Sequence, residues 1–230
     1  MRSYRFVLAV IIFLVAGALV AGYKTKASFN SNVELGDYLE HSDMILSLDE
    51  SQEYSSIYFD NTIQSVEDLS AKSELIIKAK PSNDRKNFTQ AVRSMIEVLE
   101  VYKGNKQIEG TNLYLFEPSH FYGKNYFSLG GYQLMQKDKE YILFLKSLKK
   151  PTNYSYSEDE AKSYMPVSSY YGKFPIQHNN DSASYLLTRD ELDNGIPYSK
   201  IQSWDVLTSK EEVLLRFIEI KQAVILSYKN

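Results

Sequence analysis

Cysteine is absent from the 230 residues. Its absence removes disulfides, thiolate nucleophiles, cysteine-based zinc or iron–sulfur sites and lipid attachment at a lipobox together. Stability must therefore come from core packing, in whatever compartment the chain works. Histidine is scarce. His41, His120 and His178 are scattered, with no His-x-His or His-x-x-x-His pair. Imidazole and carboxylate come close only in His41-Ser42-Asp43 and Glu117-Pro118-Ser119-His120, which read as loop histidines beside acids rather than as half a metal site. No excess of one charge exists: the net charge is −3 with both signs interspersed, so no polyanion-binding footprint is present and nucleic acid is not an expected partner. There is no Gly-x-Ser-x-Gly elbow, no Ser-x-x-Lys followed by Lys-Thr-Gly and no Gly-x-x-x-x-Gly-Lys loop. Gly130-Gly131 is too short to cradle a phosphate and reads as a tight bend between strands. Glu158-Asp159-Glu160 reads as a solvated charge run rather than an acid–base dyad. No catalytic residue, metal or cofactor is assigned.

What the chain does have begins at its start. Arg2 and Arg5 precede an uninterrupted apolar run from Phe6 to Gly22, and Lys24 and Lys26 follow. A basic segment before an apolar one reads as an export signal. The run exceeds the ~7–15 residues of a usual signal peptide and reaches the ~17 needed to span a bilayer. Residues 1–28 are thus a signal peptide, cleaved after Gly22 or Ala27, or a retained membrane anchor. Both readings place the rest of the chain outside the cytoplasm.

The organising stretch is Ser73 to Ser147. Leu75-Ile76-Ile77 sits in a short apolar run with polar flanks, and Pro81-Ser82-Asn83-Asp84 reads as a loop. Thr111–Phe116, ended by Pro118, and Glu140–Leu145 are further strand-like runs. Short apolar runs with turn signals between them predict a small antiparallel β-barrel or sandwich. Phe88–Lys103 is ambiguous. Val92, Met95, Ile96, Leu99 and Tyr102 fall at helical spacing, whereas a strand needs Met95, Leu99 and Val101 on one face and Ile96, Val98 and Tyr102 on the other.

The order "SELIIKAK", "FTQAVRSMIEVLEVYKG", "NLYLF" and "GGYQLMQKDKEYILFL" resembles a pattern found in uncharacterised secreted proteins of Gram-positive bacteria. That pattern is similar to small barrels of the OB and netrin-like kind. The likeness covers Thr62 to Ser147 and rests on Val101-Tyr102-Lys103-Gly104 and Tyr141–Leu145. It implies that Phe88–Lys103 is a strand, and it brings no catalytic residue. Inhibitors of the netrin-like kind act through an N-terminal cysteine, which this chain lacks.

The expected fold class is α+β, and four regions follow. Residues 1–28 are the signal or anchor. Residues 29–148 are the barrel core, with strands at Val33–Leu35 and Tyr54–Phe59, no assignment over Asp37–Leu48, and a short helix carrying Ile63, Val66 and Leu69 after a cap at Asn61 or Thr62. Residues 149–182 are a tyrosine-rich loop without periodicity. Residues 183–230 pack on the core. They hold a short strand at Tyr185–Leu187, a capping box at Thr188 with a stop at Gly195, and a helix from Lys210 to Ser227. That last helix has a capping box at Ser209 and an apolar face of Val213, Phe217, Ile220 and Val224, widened by Leu214, Leu215, Ile218 and Ile225. Trp204, the one tryptophan, is expected to be a packing anchor.

Nineteen tyrosines are the compositional signal. Tyr154, Tyr156, Tyr170 and Tyr171 form the expected partner-binding surface, since a flat ring with a hydroxyl suits protein and sugar contacts. The competing reading folds these rings down over the barrel as a satellite cluster. The function expected is a non-enzymatic extracytoplasmic interaction module, secreted or held to the membrane by residues 6–22, that contacts a protein partner or a cell-wall glycan. The alternative is an exported hydrolase whose site is assembled from distant residues around one of the histidines.

Overall fold

The structure, a computed structural model, describes residues 33–39, 43–149, 152–176 and 185–228. The signal or anchor segment, His41 and His178 lie outside the described residues. In chain order the strands are β1 (Val33–Glu34), β2 (Ile45–Asp49), β3 (Leu75–Asn87), β4 (Val92–Lys103), β5 (Asn112–Glu117), β6 (Ser119–Tyr122), β7 (Asn125–Leu129), β8 (Tyr141–Ser147), β9 (Ser163–Pro166) and β10 (Lys173–Pro175). The helices are α1 (Leu35–Leu39), α2 (Gln52–Tyr58), α3 (Val66–Lys72), α4 (Glu158–Ala161), α5 (Arg189–Asn194), α6 (Tyr198–Ile201) and α7 (Glu211–Tyr228).

Strands β3-β4-β5-β9-β8 run in that order and close into a barrel because β3 also pairs with β8. Every neighbouring pair is antiparallel except β5 with β9. β10 lies beside β8 on the edge that β9 also uses. Closure removes the free edges that would otherwise template pairing with another chain. A smaller sheet, β2-β7-β6, stands apart. The two are tied by Asn87, whose amide donates to the Phe121 carbonyl and whose Oδ1 accepts from the Phe121 N–H, both at 2.8 Å. One side chain thus takes the place of a strand neighbour along β6.

Three apolar clusters hold the fold. Inside the barrel are Leu75, Ile77, Ala79, Ile96, Val98, Leu113, Leu115, Leu143 and Leu145. On its outer side Ile76, Ile142 and Phe144 are covered by α3 and α7 through Leu69, Phe217, Ile220 and Val224. Both faces of β8 are therefore buried, which explains its unbroken apolar run. The third cluster joins the small sheet to α1 and α6 around Phe121, Tyr126, Tyr198 and Trp204.

Of Phe88–Lys103, Val92–Lys103 is a strand, β4, and Phe88–Ala91 is the turn that joins it to β3; β4 buries Val92, Ser94, Ile96 and Val98 in strict alternation. Beyond Val98 the register skips Leu99 and then Tyr102 against β3. Each bulge adds one residue, which brings Val101 to the inside rather than to the face of Met95 and Leu99.

Several expectations are corrected. Pro81–Asp84 is not a loop between elements but part of a bulged stretch inside β3, where three residues, 82 to 84, oppose the single Met95 of β4. Proline is tolerated there because a bulge does not need its N–H. Tyr54–Phe59 belongs mostly to α2, not to a strand. Its aromatic and branched residues mimic strand propensity, yet Phe59 N–H donates to the Ser55 carbonyl at 2.8 Å, a helical bond. The helix at Val66 is capped by Ser65, whose side chain accepts from Asp68 N–H, rather than by Asn61 or Thr62. Residues 149–182 are not one loop: α4, β9 and β10 lie in them, so the fifth barrel strand comes from beyond residue 148. Tyr185–Leu187 contributes only an isolated bridge, Leu186 to Thr208. The Thr188 capping box and the Gly195 stop are present. At α7, Leu215 and Ile218 are exposed rather than part of the packed face. The Ser209 hydroxyl donates to Glu50 instead of forming a capping box, and the Lys210 carbonyl takes the first helical N–H groups.

Candidate functional site

Charge inside the barrel is confined to one end, where β3, β4 and β5 meet. The bulge in β3 sets Arg85 opposite Ser94, and β5 ends in Glu117 because Pro118 follows. Glu117 is fully buried. One carboxylate oxygen accepts from Arg85 Nη2 at 2.6 Å and from the Ser94 hydroxyl. The other accepts from Met135 N–H at 2.8 Å and the Tyr132 hydroxyl at 3.2 Å. Arg85 also donates through Nε to Ser94 at 2.7 Å and through Nη1 to the Met135 carbonyl at 2.8 Å. Four donors on one carboxylate fill its lone pairs, so the cluster is suited to holding the segment through Tyr132 and Met135 across the barrel end, not to taking a proton from a ligand.

Lys173 of β10 adds a second buried charge here. It is 4% exposed. Its ammonium lies 5.2 Å from the Tyr132 ring centroid and 5.0 Å from that of Tyr141. Burial pushes its pKa from 10.5 down to about 8, against the pull of Asp205 and Glu117. Asp205 itself is held by Lys221 at 2.6 Å.

Gly130 and Gly131 form a tight bend, with φ of 57° and 70°. A side chain on Gly131 would collide with the Leu207 carbonyl and the Tyr170 ring. His120 stacks on Phe127 at 4.9 Å with 8° between the planes, and burial lowers its pKa. No group of three or more histidine or acidic side chains able to hold a metal occurs among the described residues. No helix among the described residues is long and apolar enough to cross a membrane.

The four tyrosines expected on a partner-binding surface divide into two pairs. Tyr170 and Tyr171 are 6% and 1% exposed and belong to the core beneath α7, so the expectation of an exposed contact surface is corrected for both. Tyr170 also donates to Glu50 at 3.0 Å. Tyr154 is 44% exposed and meets Tyr156 edge-on at 5.8 Å. Its hydroxyl donates to Glu160 of α4 at 2.6 Å, while half-buried Tyr156 donates to the Leu148 carbonyl at 2.9 Å.

The exposed pair adjoins a surface that sequence reasoning missed. Because Val92, Ser94, Leu113, Leu115 and Glu117 point inward, alternation sends Arg93, Met95, Tyr114 and Phe116 to the outer face of β4 and β5. Arg93 is paired with Phe116 across the strands and Met95 with Tyr114. The Arg93 guanidinium sits 4.4 Å from the Tyr114 ring centroid and 5.8 Å from that of Phe88. Phe88 packs on Phe116 at 6.2 Å. Asp159 of α4 lies 3.9 Å from Arg93, which joins this face to the helix that holds Tyr154. All five face residues are half-buried. The signal was in the run Leu113-Tyr114-Leu115-Phe116: a strand apolar on both faces must have its outer face covered or used.

Compared with known proteins, this chain matches no family model, no curated protein and no solved structure.

Proposed function

We propose that the chain is a non-enzymatic interaction module working outside the cytoplasm, secreted or held at the membrane through residues 6–22, and that it binds a protein partner with the outer face of β4 and β5. The observation that carries this reading is the set of rings around Arg93. Tyrosine and arginine are among the residue types that supply most binding energy at protein interfaces, and phenylalanine is enriched in their cores. Tyr154 and Tyr156, reached through Asp159, extend that face toward α4.

An OB-like barrel is part of the proposal. The order β3-β4-β5-β9-β8, closed on β3 with β5 and β9 parallel, supports it. In OB barrels the second and third strands present the ligand face, and β4 and β5 hold those positions. The basic start and the apolar run from Phe6 to Gly22 support the location.

A photo-crosslinking residue at Tyr114 in the full-length chain tests the face, with Lys124, an exposed lysine of the β6–β7 turn, as the control position. The reading expects a discrete cross-linked product at 114 in intact producing cells, lost on Arg93→Glu, and none at 124. Equal or absent products at both positions overturn it. Protease added to intact cells should digest the chain; protection until lysis would overturn the location.

A further inference from the structure

A cavity of about 210 Å³ opens beside the start of α7, lined by Glu50, Asn61, Tyr171, Lys210, Glu212 and Arg216. Two of these are held by the fold. Glu50 is saturated: its oxygens accept from the Tyr170 hydroxyl at 3.0 Å, the Thr208 hydroxyl at 2.6 Å, Ser209 N–H at 3.0 Å and the Ser209 hydroxyl. Asn61 Oδ1 accepts from the hydroxyls of Ser168 and Ser169 and from Ser169 N–H. This leaves Glu50 no acceptor lone pair for a ligand and gives it a structural task, fixing the residues ahead of α7.

The remaining groups are nearly all donors. Tyr171 is 1% exposed, yet its hydroxyl has no hydrogen-bond partner among the described residues. Tyr171, Arg216 and Glu212 line the same cavity, and burial pushes the Tyr171 hydroxyl up to about 12. It is therefore an O–H donor at any physiological pH. Arg216 makes no ion pair or hydrogen bond among the described residues, although its side chain is half-buried. Lys210 spends one ammonium proton on the Glu50 carbonyl at 3.1 Å and keeps two. α7 runs for 18 residues, so the positive end of its dipole and its first N–H groups lie at the same place. Two carboxylates oppose an anion here: Glu50, whose charge is spread over the four donors that hold it, and Glu212, which is exposed on the first turn and can turn outward to water.

A tyrosine hydroxyl with no protein acceptor at the cavity wall, an unpaired guanidinium and an ammonium share one need, an acceptor carrying negative charge. We propose that this cavity binds a small oxyanion, a phosphate or a carboxylate group, with Arg216 and Lys210 supplying the charge and the Tyr171 hydroxyl the directional bond. The volume suits one such group with little else, so a larger ligand would insert its anionic end only. The site stands apart from the β4–β5 face and does not depend on it.

Thermal melts of the full-length protein with sodium phosphate, sodium acetate and sodium chloride at equal ionic strength and pH 7 test the proposal. A ligand that binds only the folded state raises Tm with concentration and then follows its mass-action law. The expected result is a saturable rise with phosphate, acetate or both that chloride does not give; which salt acts separates a phosphate source from a carboxylate source. Arg216→Gln should abolish the rise while leaving the salt-free Tm within a few degrees, since Arg216 makes no contact that the fold needs. Tyr171→Phe keeps the buried ring and removes only the donor, so the midpoint concentration should rise roughly tenfold. Lys210→Gln gives a second charge variant should Arg216→Gln fold poorly. Rises no larger than those in chloride, or rises equal in wild type, Arg216→Gln and Lys210→Gln, overturn the proposal.

Discussion

Replacing Lys173 by methionine should make the protein more stable, and the gain should depend on pH in a way that identifies its cause. Lys173 is buried without an ion pair among the described residues, and its pKa falls from 10.5 in the open chain to about 8 in the fold. Between those values the unfolded chain binds the extra proton, so stability rises with pH across the window from about 8 to 10.5. Below 8 the full deficit is present, roughly 3 kcal/mol. Set against this are the rings of Tyr132 and Tyr141, whose attraction for the ammonium is worth about 0.5–2 kcal/mol. Methionine has a similar unbranched shape and no desolvation cost. The net expectation at pH 7 is a gain of about 1–3 kcal/mol for Lys173→Met. Urea melts of wild type and variant at pH 7, 8, 9 and 10, with equal m-values, measure it. Wild-type stability should climb above pH 8 and the difference between the two proteins should shrink. Taking the difference cancels Lys146, which burial also pushes down. Near pH 10 both proteins should lose stability, because burial holds Tyr126, Tyr132, Tyr141 and Tyr198 protonated above their ordinary value of 10.0 while the unfolded chain ionises them. A variant less stable than wild type at pH 7, with a pH-independent difference, would refute this account of Lys173.

Two more substitutions test the packing. Tyr170→Ser with Tyr171→Ser should remove two buried rings at about 3 kcal/mol or more each and leave little folded protein, whereas Tyr154→Ser with Tyr156→Ser should shift Tm by a few degrees; similar shifts in circular-dichroism melts would show that the two pairs are not distinct. Gly131→Ala should cost well above the ~1–2 kcal/mol of a left-handed non-glycine residue, because its Cβ collides with the Leu207 carbonyl and the Tyr170 ring. Gly110→Ala has a similar φ of 74° and open space around it, so it should cost only the backbone part. Equal urea midpoints for these two variants would contradict the close approach at Gly131.

Much of the chain was legible because its code is local. The Thr188 box needs only Glu191 three residues on, and the Gly195 stop needs only a positive φ. Pro118 ends β5 without help from any distant residue. The apolar face of α7 at Phe217, Ile220 and Val224 follows from the helix period. What tertiary structure decided lies where local pattern and burial part company. β4 looked helical because the bulges at Leu99 and Tyr102 each insert one residue into a period of two, and only pairing with β3 shows which residues are extra. Leu215 and Ile218 stand at helical spacing, yet no element among the described residues covers them. Tyr170 and Tyr171 have no periodicity, since residues 167–172 pass irregularly from β9 to β10 along one edge of β8. They are buried by α7, which begins forty residues later, and Asn61 satisfies the polar groups of that irregular turn from a hundred residues earlier. Burial of a segment without a repeat depends on what packs over it, and no window of its own sequence carries that information.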